Sequence, residues 1–162
     1  WNNGKIEKTS SMNQTQISIF KILSRLFNGT ELYQQGGIFI SETDMRTGEH
    51  QLRRPDLAIY SKEQEEKMIN GENQVAPWVG EVISPTDNIN RVQRKMHEYF
   101  VAGVKVVWHI FPDFEEVYVY TAPNQVTICD GERICNGQPA LEDFEISAAD
   151  IFAYKKLLKT QE

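Results

Sequence analysis

Across residues 12–27 the chain places Met12, Gln16, Ile19, Phe20, Leu23, Leu26 and Phe27 in one stripe at helical spacing, which predicts a helix packed on a sheet. Ser10 or Ser11 can cap its start, and Asn28-Gly29 supplies its stop. Strand-like runs follow at 37–41 and 55–60, joined as a hairpin by the polar loop 42–53. The stretch 61–74 is polar and charged and reads as a partly helical surface connection. A short, mostly apolar strand at 77–84 runs into Ser84-Pro85-Thr86-Asp87, which has the form of a helix start: a Ser cap, Pro at the first helical position and an acid at the third. The helix that follows, to about Ala102, carries the apolar stripe Ile89, Val92, Met96, Tyr99 and Phe100 and stops at Gly103. A strand apolar on both faces at 104–111 completes a crossover unit. An alternating strand at 116–120, short strands within 125–135 and a terminal segment at 147–158 finish the pattern.

Two carboxylates interrupt the apolar strands. Strand side chains alternate, so Asp56 shares a face with Ala58 and Tyr60, and Glu81 with Val79 and Ile83. An acid in such a run costs several kcal/mol unless a cation, a proton or a hydrogen bond compensates it. If the two strands are neighbours, Asp56 and Glu81 converge within reach of one metal ion, with the carbonyl of Val82 as a third oxygen; hard oxygen donors suit Mg2+ or Mn2+. Lys95 sits at the edge of the following helix's stripe, about 40° from Tyr99 on the helical wheel. Its flexible stem can reach a strand end, where an ammonium can orient a nucleophile and stabilise developing charge. Taken singly, Asp56 also reads as a turn residue and Lys95 as a solvated helix residue; Glu81, between Val79 and Val82-Ile83, is harder to place outside a core.

Size and composition narrow the setting. The 162 residues suit one domain spanning 1–162, and 40% hydrophobic with 25% charged residues excludes a wholly disordered or collagen-like chain. No apolar run approaches the ~20 residues that span a bilayer, and the opening of the chain lacks a signal pattern, so a soluble cytoplasmic protein with no membrane partner is the expectation. The chain opens at Trp1 rather than methionine, which leaves room for a missing N-terminal piece. Cys129 and Cys135, flanking the Asp130-Gly131 turn, are too few for a disulfide framework and lack histidines for zinc; they read as small apolar residues in a reducing compartment. A net charge of −6 argues against a broad basic face for nucleic acid. Cations nevertheless gather beside the carboxylates: Arg53 and Lys95, with Arg54, Arg91 and Arg94 as candidate nucleic-acid contacts. His109 reads as a core or surface histidine, and His50 and His97 carry no stronger signal.

In this order the residues resemble a family. Gly4-Lys5-Ile6, Arg54-Pro55-Asp56, Glu81-Val82-Ile83-Ser84-Pro85-Thr86-Asp87, Lys95, Tyr99, Gly103-Val104, Trp108 and Phe144-Glu145-Ile146 are similar to the PD-(D/E)XK nuclease superfamily and, within it, to the Uma-type restriction endonucleases, over nearly the whole chain. The resemblance implies an α/β restriction-endonuclease-like fold, a mixed central sheet flanked by helices, with Asp56 and Glu81 as metal ligands. The superfamily pattern sets a lysine two positions after the acid, where this chain has Ile83; in this branch that role maps onto Lys95. Phe111 before Pro112 also departs from relatives that carry an acid there. The implied activity is Mg2+- or Mn2+-dependent endonucleolytic hydrolysis of phosphodiester bonds in DNA, by enzymes that commonly act as homodimers. The alternative is a catalytically inactive nucleic-acid- or protein-binding module on the same fold, motivated by the acidic net charge and the missing strand lysine.

Overall fold

The computed structural model describes residues 13–158 of the chain. The first helix, α1 (Gln14–Phe27), buries Ile19, Leu23 and Phe27. Its cap is Asn13, which accepts from the Gln16 N–H while the Gln16 side chain accepts from the Asn13 N–H, both at 2.9 Å. This reciprocal box displaces the expected cap at Ser10 or Ser11; those serines and Met12 lie outside the described residues.

A short helix α2 (Glu31–Gln34) leads to β1 (Ile38–Ser41), and β4 (Leu57–Tyr60) pairs antiparallel with it, as the hairpin expectation requires. The connection between them is not simply a polar loop. It folds into its own hairpin, β2 (Met45–Gly48) with β3 (Gln51–Arg53), because Met45, fully buried, anchors it to the core. Then follow α3 (Lys62–Ile69), capped by Ser61, β5 (Trp78–Val82), α4 (Ile89–Ala102) and β6 (Val106–Phe111). Next come β7 (Glu116–Ala122), β8 (Gln125–Asp130), β9 (Ile134–Asn136) and β10 (Glu145–Ser147), then α5 (Ala148–Ile151) and α6 (Tyr154–Leu158).

The central sheet has six strands in the order β1-β4-β5-β6-β7-β8. Only β5 and β6 run parallel, joined by α4 as the crossover; every other neighbouring pair is antiparallel. The sheet is therefore mixed and flanked by helices, as expected. The residues 84–87 do not begin α4. Asp87 folds back to accept from the Ser84 N–H at 2.7 Å, and Asn88 takes the capping role by accepting from the Arg91 N–H at 3.1 Å. Gly103 ends α4 at φ 109°, a left-handed conformation that glycine adopts without a Cβ penalty.

Two apolar layers sandwich the sheet. On one face α1 and α5 cover Leu57, Ile59, Trp78, Trp108, Ile110 and Val119, with Trp78 and Trp108 edge to face at 5.2 Å. On the other, Met96 and Tyr99 of α4 pack on Ala58, Tyr60, Val79 and Val107. Gly80 shows how tight the first layer is: a Cβ there would lie 2.8 Å from the Trp78 ring and 3.2 Å from Leu57. Both side chains are fully buried with no room to yield. Gly80→Ala is expected to cost about 1–3 kcal/mol by overpacking, read as a lower urea midpoint at unchanged m-value. Among the described residues no helix is long and apolar enough to cross a membrane.

Candidate active site

The register of the antiparallel pair β4 and β5 sets Leu57 opposite Gly80 and Ala58 opposite Val79. Continued by one and then two steps, it places Asp56 opposite Glu81 and Pro55 opposite Val82. Directly opposed residues point to one face with Cβ atoms about 4.5–5.5 Å apart, so the two acids meet on the face that α4 covers. The Val82 N–H donates to Asp56 Oδ2 at 2.7 Å, while Pro55 has no N–H to offer the Val82 carbonyl. The Val82 carbonyl therefore has no ladder partner in Pro55.

From α4, Lys95 and Tyr99 lie one turn apart on the face toward β5. Lys95 Nζ is 2.7 Å from Glu81 Oε1 and 2.8 Å from Oε2, and it also donates to the Arg54 carbonyl at 3.2 Å. The Tyr99 hydroxyl, fully buried, donates to Glu81 Oε1 at 2.5 Å. Glu81 is 6% exposed, so its charge is held by these two groups instead of by water. Asp56 is less well compensated. Burial above all, and then the charge of Glu81, push its carboxyl up to about 7, against the pull of Lys95, the Val82 N–H and a side-chain bond from Gln16. Burial and the Glu81 charge also hold the Tyr99 phenol far above its ordinary value, which keeps it a donor.

Among the described residues no group of three or more His, Cys, Asp or Glu side chains is arranged to hold a metal. The donors present, two carboxylates and a carbonyl, nevertheless fit a hard divalent cation that keeps several waters. The destabilised ionised form of Asp56 beside Glu81 is the charge state such an ion relieves.

The family described as "Uma2: Putative restriction endonuclease" matches residues 1–149. The chain belongs to the Uma2 family. A crystal structure titled as "a putative nuclease belonging to DUF820 from Anabaena variabilis" superposes with a TM-score of 0.73 at 20% identity, covering 94% of this chain and 88% of that one. That likeness establishes the shared fold. No curated protein matches.

In this Uma2 chain the acids and Lys95 line a cleft of about 590 Å³ that also takes in Gln16, the loop of Ser84 to Asn88, and Pro112 with Asp113. Of the three arginines expected to contact nucleic acid, Arg54 and Arg91 line the cleft; Arg94 is exposed on α4 outside its lining. Arg54 grips Asp44 with two bonds of 2.8 and 3.0 Å, which holds the Asp44 carboxyl below its ordinary value. Arg53 is 6% exposed and spends its guanidinium on Glu98 at 2.6 Å. His50 and His97 are exposed, and His109, opposite Glu81 on β6, is buried, with burial and the nearby Lys95 charge pushing it down to about 4. Cys129 and Cys135 are buried free thiols remote from the cleft lining.

Gln16 is the site residue that the sequence pattern conceals, since it falls within the apolar stripe of α1. Its Oε1 is committed to the helix cap, which turns its amide nitrogen toward Asp56. The only local sign is the spacing Asn13-x-x-Gln16, the signature of a capping box.

Proposed function

We propose that this Uma2 chain is a cytoplasmic endonuclease that hydrolyses phosphodiester bonds in DNA and depends on Mg2+ or Mn2+. The observation that carries the reading is the 2.7 Å contact of Lys95 Nζ with Glu81, the register partner of Asp56, at the floor of an open cleft. Asp56, Glu81 and the Val82 carbonyl would hold the ion. When bound, the ion supplies polarisation of a phosphoryl oxygen and a lowered pKa for a ligated water.

The remaining work falls to the chain. Tyr99 fixes the rotamer of Glu81, and the Val82 N–H fixes that of Asp56, so neither carboxylate has to reorganise as charge develops. Lys95, steadied by Glu81 and the Arg54 carbonyl, presents its ammonium where it can orient the attacking water and offset charge growing on the phosphoryl group. Arg54 and Arg91, which line the cleft, are the groups this reading assigns to the flanking phosphates, Arg54 by exchanging its bonds to Asp44. Arg94 meets only substrate that extends beyond the cleft.

Cleavage of plasmid DNA by the purified chain in Mg2+ or Mn2+ tests this function. Lys95→Ala is expected to lower turnover about 10²–10⁴-fold while leaving DNA binding largely intact. Cleavage that persists in EDTA, or that is unchanged in Lys95→Ala, would contradict it.

A further inference from the structure

The turn between β6 and β7 carries an aromatic ring that the fold leaves uncovered. Phe114 is 73% exposed, the most exposed aromatic side chain among the described residues. Scattered apolar residues on a surface need no explanation, but this one differs in its place and its mounting. Pro112 and Asp113, the two residues before it, line the cleft that holds Asp56, Glu81 and Lys95. Phe114 follows them at the rim. The turn that presents it is braced: the Glu115 N–H donates to the Pro112 carbonyl at 3.3 Å, and Lys155 of α6 donates to the same carbonyl and pairs with the Glu115 carboxylate at 3.4 Å. Glu115 is held at φ 55°, a left-handed conformation that persists in a non-glycine residue where its surroundings over-determine it. A ring on such a mount has little backbone freedom left to lose when a ligand meets it.

The chemistry of the rim narrows what that ligand is. A phenyl ring offers nothing to a phosphate, and the exposed carboxylate of Asp113 beside it repels one. Phosphates are left to Lys95, Arg54 and Arg91 elsewhere on the lining, and the ring is left for the flat, apolar face of a nucleobase. The other rings of this hairpin's turn end are occupied, since Phe111 and Tyr118 lie against each other at 4.7 Å. Inside a duplex both faces of a base are covered by its neighbours. We propose that Phe114 stacks on an unpaired base of the strand whose phosphate lies in the cleft, so that the substrate is a single strand or a duplex opened at that point. This rests on the nuclease function proposed above and names the form of its substrate.

The test is fluorescence anisotropy in Mg2+ with the full chain carrying Lys95→Ala, so that bound strands stay intact. Three labelled probes are compared: an oligothymidylate, an abasic deoxyribose-phosphate strand of the same length, and a duplex of that length. The abasic strand keeps every phosphate and removes every base. Adding Phe114→Leu, which keeps an apolar side chain but no ring, is expected to weaken oligothymidylate binding about tenfold and to leave the abasic strand and the duplex unchanged. Phe114→Trp should restore the lost affinity. Because the side chain is exposed, neither substitution disturbs the core. No oligothymidylate binding, no loss in Phe114→Leu, an equal loss on the abasic strand or the duplex, or no recovery in Phe114→Trp would each overturn the proposal. So would a Phe114→Leu protein that loses self-association in the ultracentrifuge while its strand binding is unchanged, which would assign the ring to a second copy. The expected binding pattern without cleavage by the wild type would remove turnover and keep the ring contact; cleavage with strand binding indifferent to Phe114 would keep turnover and remove the ring contact.

Discussion

Glu81→Gln should abolish DNA cleavage, lowering turnover by about 10³-fold, which corresponds to losing roughly 4 kcal/mol of transition-state stabilisation. The glutamine keeps the shape of the side chain and one oxygen for the Tyr99 hydroxyl, so the fold should persist. What it removes is the charge that holds Lys95 at 2.7 Å and that would share the metal with Asp56. Glu81→Ala is the harsher change. It strands a buried hydroxyl, at about 1–3 kcal/mol for an unsatisfied polar group, so a loss of activity there mixes chemistry with stability. Single-turnover cleavage of a supercoiled plasmid, beside a urea melt of each variant, separates the two. A well-folded Glu81→Gln protein that still cuts at the wild-type rate would place the chemistry elsewhere.

Asp56→Asn should do something different: inactivate the protein and stabilise it. The carboxyl of Asp56 titrates at about 7 in the folded chain against 3.8 when exposed. Between those values the folded state holds a proton that the unfolded state has released, so stability falls as pH rises through the window and the full penalty is present above it. About three pKa units would amount to roughly 4 kcal/mol in a dry site; in a cleft reached by solvent about half of that is expected. In metal-free buffer, Asp56→Asn should therefore be more stable than wild type by about 2 kcal/mol at pH 8, and the difference should close toward pH 4. His109 acts in the opposite sense, because a buried neutral imidazole loses stability as pH falls from its ordinary range toward about 4. That contribution is common to both proteins and cancels in the difference. Manganese at pH 8 should close the gap from the other side, stabilising the wild type alone. A variant less stable than wild type at pH 8, or a gap that does not change with pH, would contradict this view of Asp56 as a site residue kept at a cost to the fold.

How far the sequence discloses the site depends on how local each contact is. The β5-α4-β6 unit is legible because its apolar runs, its amphipathic stripe and the Gly103 stop agree. The facing of Asp56 and Glu81 follows from strand parity once β4 and β5 are neighbours. Lys95 is legible as a candidate because Tyr99, one turn on, marks the buried face of the helix. Signals that compete locally are misread. Ser84-Pro85 has the form of a helix start, yet the Asp87 carboxylate closes on the Ser84 N–H and the helix waits for Asn88. Contacts between distant segments leave little trace. Met45 looks like a stray apolar residue in a loop until the β2-β3 hairpin lies against α4. Arg53 reads with the cleft cations but is committed to Glu98, 45 residues away. Gln16 reads as part of a core stripe, and its bond to Asp56, 40 residues on, shows only once α1 lies beside that carboxylate with the Gln16 Oε1 held in the helix cap.

The most direct measurement is anomalous diffraction from crystals of the chain soaked in manganese. A peak between the carboxylates of Asp56 and Glu81, within ligand distance of the Val82 carbonyl and with Lys95 Nζ beside it, is the expected result. No peak at that position at saturating manganese, in a protein that cleaves DNA in the same buffer, would contradict the assignment of this cleft as the metal-dependent active site.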